Sequence, residues 1–469
     1  MALASLPQVE RNEDGIKAAV SILKQRFGER LSTGEAVREQ HSHTTTYIPS
    51  QLPDAVVFAN AVEDVRNIVE VCAEHRVPII PFGVGTSLEG HVNAPGGGIS
   101  IDLSNMNRII EVRPEDLDCT VEPGVTREDL NSHLRDTGLF FPIDPGANAT
   151  IGGMAATRAS GTNAVRYGTM RENVLSVRAV MADGSEVVTA SRAKKSSAGY
   201  DLTKLMVGSE GTLGVMTEIT LRLQGIPQAI SGGVCPFPSV DAACNAVIQT
   251  IQIGIPVARI ELLNSLQMKA TNQYSGLNYP ERPCLFLEFH GSDASVAEQA
   301  ELFGEIADEF GGGPFQWTTV TEERNKLWKA RHDAYWAAFT LRPGAKSVAT
   351  DVCVPISRLA ECIARAEADL DELGLIAPIL GHVGDGNFHV APLIDTDDPK
   401  EIDLCEQFLD RLNHLAFEME GTCTGEHGIG QGKAGFMHDE HGHGVALMQA
   451  IKRALDPQNI MNPGKILPA

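Results

Sequence analysis

Residues 62–76 place apolar side chains at positions 62, 65, 68, 69, 71 and 72, the spacing of one face of a helix. "VPIIPFG" at 77–83 follows directly, a short unbroken apolar run ending on glycine, which predicts a buried strand that opens into a turn. Further strands are predicted in "GISIDLSNM" (98–106), "LDCTVEPGV" (117–125) and "SVRAVMADGSEVV" (176–188), the last folding back at Asp183 and Gly184. A short helix is predicted over 126–137, so the region up to about residue 226 is mixed α and β.

"RLQGIPQAISGG" at 222–233 breaks this pattern with proline and glycine and marks an expected domain boundary. Beyond it, helical periods over 239–253, 293–310, 321–340, 357–373 and 400–420 alternate with strands in "RPCLFLEFHG" (282–291), "AKSVATDVCV" (345–354) and "LIAPILGHV" (375–383). That alternation predicts an antiparallel sheet with helices on one face, an α+β arrangement. The expected organisation is residues 1–226 as one domain with its core over about 50–226, residues 227–425 as a second, and residues 426–469 as a C-terminal segment returning to the first.

Composition narrows the classes. Of 469 residues 43% are hydrophobic and 21% charged, and no apolar run approaches the roughly 18 residues that a membrane span needs, so no transmembrane segment is expected. A formal charge of -23 excludes nucleic acid as a partner and leaves no polybasic membrane anchor. The N-terminus "MALASLPQVERNEDGIK" has no basic start followed by a long apolar stretch, and on that ground a cytoplasmic location is expected. Nine cysteines, none in a C-x-x-C pair, suggest neither a disulfide framework nor a thiolate metal site, and Cys423 is read as a packing residue.

Three segments are rich in Gly, Ala, Ser and Thr: "PFGVGTSLEGH" (81–91), "PGANATIGGMAATRASGTNAVRYG" (145–168) and "VGSEGTLGV" (207–215). The first fails the dinucleotide fingerprint, because Gly83 and Gly85 are followed by Leu88 where a third glycine belongs. Small residues still let backbone approach an extended ligand, with N–H groups and hydroxyls for phosphate or ring edges. In the far half, "GHVGDGNFHV" (381–390) carries His382 and His389, and "GEHGIGQGK" (425–433) adds Glu426 and His427. Two imidazoles and a carboxylate can hold one divalent ion with open positions. Asp385 is expected to shape its glycine loop, Asn387 is a further polar candidate, and His438, His441 and His443 in "HDEHGH" read as a solvated turn.

The order of the glycine-rich segments resembles the flavin domain of the vanillyl-alcohol oxidase family, the PCMH type, a two-part FAD-binding fold. "GHVGDGNFH", "GTCTGEHGIGQGK" and "LDPQNIMNPGKIL" are similar to the FAD-dependent D-2-hydroxyacid dehydrogenases, and the resemblance runs from "REQHSH" at 38–43 to "NPGKIL" at 462–467. Within that group "ERNKLWKARHDAYWAA" and "VATDVCVPISRL" most resemble the cytochrome-type D-lactate dehydrogenases. The resemblance implies an α+β cap domain beside the flavin domain.

It also implies a cofactor site. Pro81, Gly83, Gly85, Thr86, Ser87 and Gly90 are expected along the FAD pyrophosphate. Pro145, Gly146, Ala147, Thr150, Gly152, Gly153, Ala156 and Ser160 are expected along the ribityl chain and ring, continuing into Gly161, Asn163, Tyr167 and Gly168. Glu210, Gly211, Gly214, Val215 and Asn462 complete the set. Thr86 stands near the place where some members attach flavin through histidine, so noncovalent FAD is expected, with His91 as the reservation.

The implied reaction is oxidation of D-lactate or a similar short D-2-hydroxy acid to the 2-oxo acid, by hydride transfer to FAD. His382, His389 and Glu426 would bind a divalent metal (zinc, manganese or iron) that chelates the substrate, His427 would be the general base, and Arg331 with Lys346 would meet the substrate carboxylate. Electrons would pass to a separate acceptor such as a cytochrome, a quinone or an electron-transfer flavoprotein, which could hold the protein peripherally at a membrane. A glycolate oxidase flavin subunit and D-2-hydroxyglutarate dehydrogenase are the alternatives within the family, but 2-hydroxyglutarate enzymes read "HLN" where this chain reads "HVA", ending on Ala391. A metal-dependent hydrolase is the alternative from another class, an electron-transfer subunit without substrate chemistry a third, and a homodimer is one open assembly state.

Overall fold

The apolar period at 62–76 forms the helix Val62–His75, and Val65, Ile68, Val69, Val71 and Cys72 on its inner face are buried. The computed structural model describes residues 9–44, 48–348 and 350–468. They divide into two units, an N-terminal one from Ala2–Ser160, Thr169–Ile226 and Glu426–Ala469, and a central one from Gly161–Gly168 and Pro227–Gly425.

In the N-terminal unit, strands β1 (Leu31–Ser32), β2 (Ala55–Phe58), β3 (Ile79–Phe82) and β4 (Ile99–Asp102) form a sheet of order β1-β2-β4-β3. Both β2 and β3 run parallel to β4; β2 (AVVF) and β3 (IIPF) read as unbroken apolar runs, whereas β4 buries Ser100 and Asp102 between and beside its isoleucines. Helices Glu13–Phe27 and Val62–His75 pack into that core, together with Leu103, Met106, Val180, Val215, Ile460 and Met461. Next come β5 (Ile109–Arg113), β6 (Asp118–Val121), β7 (Leu139–Phe140), β8 (Val174–Val180), β9 (Glu186–Val188), β10 (Val215–Arg222) and β11 (Gln224–Gly225). Five of them make an antiparallel sheet of order β5-β6-β10-β8-β9, while β11 pairs with β7. The chain end closes this unit: Ile79 N–H donates to Ile460 O at 2.7 Å and Asn462 N–H to Ile79 O at 2.8 Å, so the C-terminal segment lies along β3.

The central unit contains β12 (Ala229–Pro236), β13 (Val257–Leu263), β14 (Cys284–Gly291), β15 (Gln316–Thr318), β16 (Lys346–Ser347), β17 (Val352–Cys353), β18 (Ile379–Gly381), β19 (Asn387–Val390) and β20 (Leu393–Ile394). Seven form an antiparallel sheet of order β15-β12-β14-β13-β18-β19-β17. Helices Val240–Gln252, Asp293–Glu309, Leu359–Leu373 and Pro399–Glu418 bury their apolar faces with Ile260, Leu262, Leu285, Leu287 and Phe289 in the larger core. Residues of opposite parity, Leu263, Cys284 and Phe286, join a smaller cluster with Met268, Leu327, Trp328 and Ala334. The second face of the sheet therefore has its own helices, Ser265–Ser275, Thr321–His332 and Ala334–Ala338. Ser265–Ser275 has no expectation behind it in the sequence; Asn264 caps it by accepting from Gln267 N–H at 3.0 Å.

Three further expectations are altered. The helical period at 321–340 is two helices, divided at Asp333. The apolar run 345–354 is not one strand, because Ser347 pairs with Leu393 while Val352 pairs with Phe388, and those partners lie on separate strands. Finally, Gly161–Gly168 belongs to the central unit, not to the domain of residues 1–226. Side-chain bonding is the reason: Arg259 Nε donates to Asn163 Oδ1 at 2.8 Å, and the Tyr167 hydroxyl meets His290 Nδ1 at 2.7 Å.

Candidate active site

The β18–β19 hairpin explains why two histidines seven positions apart become neighbours. Leu380 pairs with His389, so in antiparallel register His382, two residues beyond Leu380, projects from the same face as His389. Their ring centroids are 5.4 Å apart at 85°. Phe388 and Val390 point the other way into the larger core, fully buried. Burying the Phe388 ring alone contributes about 1.5–3 kcal/mol, so the hairpin is clamped from behind while its histidines face forward. The turn itself needs glycine: Gly386 has φ +81°, and a Cβ there would lie 2.0 Å from Val354 O. Asp385 is exposed, and its N–H donates to His382 O at 3.0 Å, closing the turn.

Cross-strand register brings in an acid that the sequence reading missed. Leu263 pairs with Leu380 and Leu262 with Gly381, which sets Glu261 beside His382. Glu261 is 1% exposed. Its Oε1 is 2.7 Å from His382 Nδ1, and its Oε2 accepts from Arg331 Nε at 3.0 Å and Nη2 at 2.5 Å. Burial pushes the Glu261 carboxyl upward, but the charges and hydrogen bonds of His382 and Arg331 outweigh it and hold the group below the ordinary glutamate range. The signal available in the sequence was a lone acid inside the apolar run "VARIELL".

His389 is oriented independently. Its Nδ1 lies 2.8 Å from Thr350 O, a carbonyl that can only accept, so Nδ1 carries the proton and Nε2 keeps the lone pair. His382 Nδ1 faces a carboxylate, with the same result. Imidazoles anchored through one nitrogen to a carboxylate or carbonyl, with the other turned outward, are the arrangement metal-binding histidines use, and this donor set fits a divalent ion. Asp351, also missed, is buried at 1% and lies 3.7 Å from His389 Nδ1. Asn387 Nδ2 donates to Asp351 Oδ1 at 3.0 Å and Thr424 Oγ1 to Oδ2 at 2.7 Å, so Asn387 acts within the central unit as a brace. Ala391 is buried, its N–H donating to Pro378 O. Lys346 stands exposed on β16.

Glu426 and His427 begin the last segment of the N-terminal unit, where the glycine-rich stretches converge. Gly83 follows β3, and a Cβ there would meet Thr150 Oγ1 at 2.3 Å; Thr150 caps the helix Ile151–Thr157, which holds Gly152, Gly153 and Ala156. Glu210 N–H donates to Ala156 O at 2.9 Å, and a Cβ on Gly211 would press on Pro81 at 3.0 Å, so the second and third segments are packed on the first. Gly214 leads into Val215 at the start of β10. Gly85 and Gly90 take φ +68° and +73°, Thr86 is exposed, and Pro145, Gly146 and Ala147 form the loop before Thr150. Ser87 Oγ and Ser209 Oγ are buried with no hydrogen-bond partner among the described residues. Unsatisfied buried hydroxyls are costly, and two of them on glycine-rich loops fit a polar ligand such as FAD.

Glu210 organises the segment that carries His427. It is 6% exposed, sits at φ +52°, and its two oxygens accept from Ile429 N–H at 2.7 Å and Gly430 N–H at 2.8 Å. His91 Nε2 lies 3.3 Å from Glu210 Oε2. Gly428, at φ +82°, has no room for a side chain, since a Cβ would stand 2.7 Å from Glu210 Oε1 and 2.8 Å from His91 Nε2. Asn462 Nδ2 ties the same region together by donating to Glu210 O at 2.7 Å and His91 O at 3.2 Å. Burial pushes the Glu210 carboxyl upward, yet His91 and the two amides bring it below its ordinary value. Lys465 donates to Asn93 O at 2.8 Å; burial pushes it down to about 7, against the pull of Glu210. Cys423 is fully buried, and His438, His441 and His443 are exposed.

Residues 226–466 match the family described as FAD linked oxidases, C-terminal domain, and residues 53–190 match the FAD binding domain. A protein of Danio rerio named probable D-lactate dehydrogenase, mitochondrial, is 52% identical over 443 residues, covering 94% of this chain and 89% of its own. One of Arabidopsis thaliana named D-lactate dehydrogenase (cytochrome), mitochondrial, is 46% identical over 455 residues, covering 96% and 80%. Among solved structures, p-cresol methylhydroxylase with substrate bound superposes with a TM-score of 0.81 at 18% identity over 98% of each chain, which bears out the α+β PCMH-type fold. Both relatives are named mitochondrial, and this overturns the cytoplasmic expectation. That expectation rested on a missing signal, and an absence of that kind does not specify a compartment. No helix among the described residues is long and apolar enough to cross a membrane.

Proposed function

Because this chain belongs to the FAD-linked oxidases of the PCMH-type fold, we propose that it oxidises D-lactate, or a similar short D-2-hydroxy acid, to the 2-oxo acid and passes the electrons to a separate acceptor of cytochrome type. The FAD binding match over residues 53–190 sets aside a metal-dependent hydrolase. The observation that carries the chemistry is the orientation of His382 and His389, both anchored through Nδ1 and both projecting from one face of the hairpin.

His382, His389 and Glu426 are the proposed ligands of a divalent ion, and zinc, manganese and iron all suit that donor set. Such an ion supplies a Lewis acid for the substrate's hydroxyl and carboxylate oxygens. Arg331 offers Nη1, which Glu261 does not engage, to the substrate carboxylate, with Lys346 as the second cation. A guanidinium suits this role in a chain of net charge -23, where an anion is otherwise repelled. His427 accepts the hydroxyl proton, which releases the electron pair that expels hydride from C2. Bound FAD, cradled noncovalently by the three glycine-rich segments, supplies the hydride acceptor. Ala391 leaves an apolar wall, which favours a short substrate side chain over a second carboxylate.

The test is anaerobic flavin reduction with a panel of D- and L-2-hydroxy acids, with and without chelator. D-lactate is expected to bleach the flavin, L-lactate to leave it oxidised, and metal removal to slow the reduction. Reduction by D-lactate at an unchanged rate after verified metal removal refutes the metal role, and a flavin indifferent to D-lactate refutes the substrate assignment.

A further inference from the structure

Resting on the metal reading above, we infer that Glu261 is a positioning residue: one buried carboxylate that fixes the ligating tautomer of His382 with one oxygen and orients the guanidinium of Arg331 with the other. Each oxygen has its own task. Oε1 faces His382 Nδ1 at 2.7 Å, and Oε2 takes both Arg331 Nε and Nη2. Glu261 is 1% exposed and Arg331 7%, so water does not substitute for either partner.

Three features separate this from an ordinary structural ion pair. Glu261 stands on β13 in cross-strand register with the hairpin, so its placement follows from backbone pairing and does not depend on rotamer choice along an exposed side chain. A carboxylate only accepts, which forces the proton onto His382 Nδ1 and leaves Nε2 as the lone pair that a cation needs. Arg331 is held by Nε and Nη2, which leaves Nη1 on the far edge of the fork for an anion. The ligand for the ion and the clamp for the substrate carboxylate thus share one anchor, and a change there disturbs both.

Glu261→Gln is nearly isosteric and exposes the difference. If the amide nitrogen faces His382, it donates to Nδ1 and drives the proton to Nε2, where it blocks ligation. If it faces Arg331, donor meets donor. Arg331 can only donate whereas an imidazole nitrogen can accept, so the buried glutamine settles with its oxygen toward Arg331 and its amide toward His382, and the task that fails is the histidine's. In the FAD-loaded protein, titration of Zn2+ or Mn2+ against a competing chelator is expected to show metal affinity about 10–100-fold weaker in Glu261→Gln, the range for losing such a partner of a metal-binding histidine. KM for the D-2-hydroxy acid is expected to rise with it, while FAD content stays at the wild-type level.

A second measurement reads the unaltered Glu261 and uses a variant for assignment alone. In wild-type protein, the 15N shifts of His382, assigned by comparison with His382→Gln, report which ring nitrogen carries the proton, and protonated Nδ1 with bare Nε2 is expected. Metal affinity in Glu261→Gln within twofold of wild type, or a His382 ring protonated on Nε2 alone, overturns the inference while leaving the metal reading standing. Wild-type protein that binds neither ion overturns both together.

Discussion

Glu210→Gln is the perturbation that most directly probes how the segment bearing His427 is held. The wild-type carboxylate is buried and accepts two backbone N–H groups, Ile429 at 2.7 Å and Gly430 at 2.8 Å, two and three residues after His427. A hydrogen bond to a charged acceptor contributes about 1.5–3 kcal/mol, and a buried donor left unsatisfied costs about 1–3 kcal/mol. Glutamine keeps one accepting oxygen and turns a donor toward the other amide. The loss is therefore about 2–4 kcal/mol, which local opening of the 427–432 turn should register as roughly 30- to 1000-fold faster amide exchange. The assay is hydrogen exchange on peptides covering Ile429 and Gly430, paired with the reductive half-reaction. kcat is expected to fall by no more than the about 10²–10⁴-fold that a positioned proton acceptor supplies.

The sign of the pH dependence follows from the depressed Glu210 carboxyl. The unfolded group titrates near about 4.3. Protection at the two amides should be fully present above that value and disappear as pH falls through the lower folded value, whereas Glu210→Gln should show no such acid step. Unchanged exchange at both amides in the variant would refute the assignment of Glu210 as the anchor of this segment.

Arg331→Lys keeps the charge but loses the planar fork, so KM for D-lactate should rise by about tenfold or more with FAD content unchanged; steady-state kinetics with a flavin absorbance check decide it. Ala391→Asn places an amide in the buried site after His389, and the ratio of kcat/KM for D-2-hydroxyglutarate over D-lactate should increase; a ratio that stays put or falls removes Ala391 from the specificity argument. Lys465, pushed down to about 7 by burial, binds its proton more weakly folded than unfolded, so it contributes a rise in stability from about pH 7 toward 10. Lys465→Met should flatten that rise in denaturant titrations taken across this range, and an identical slope in the variant would contradict it.

The sequence by itself determined the elements whose burial repeats with a local period. Helix Val62–His75 was legible because all five of its buried positions fall on the apolar period, and β3 because a parallel strand buried on both faces reads as an unbroken apolar run. The glycine-rich segments and the pairing of His382 with His389 were legible too, since a tight glycine turn brings residues seven apart onto one face of a hairpin. The tertiary structure decided the rest. Glu261 meets His382 across 121 residues, through strand register that no local period encodes, and in the sequence it is one acid within an apolar strand. The division of 345–354 between two strand partners had the same origin, as did the transfer of Gly161–Gly168 to the central unit through Asn163 and Tyr167. A side chain's period reports whether its face is buried, whereas its partner is fixed only when distant backbones pair, and the buried charges of this site acquire their roles from those partners.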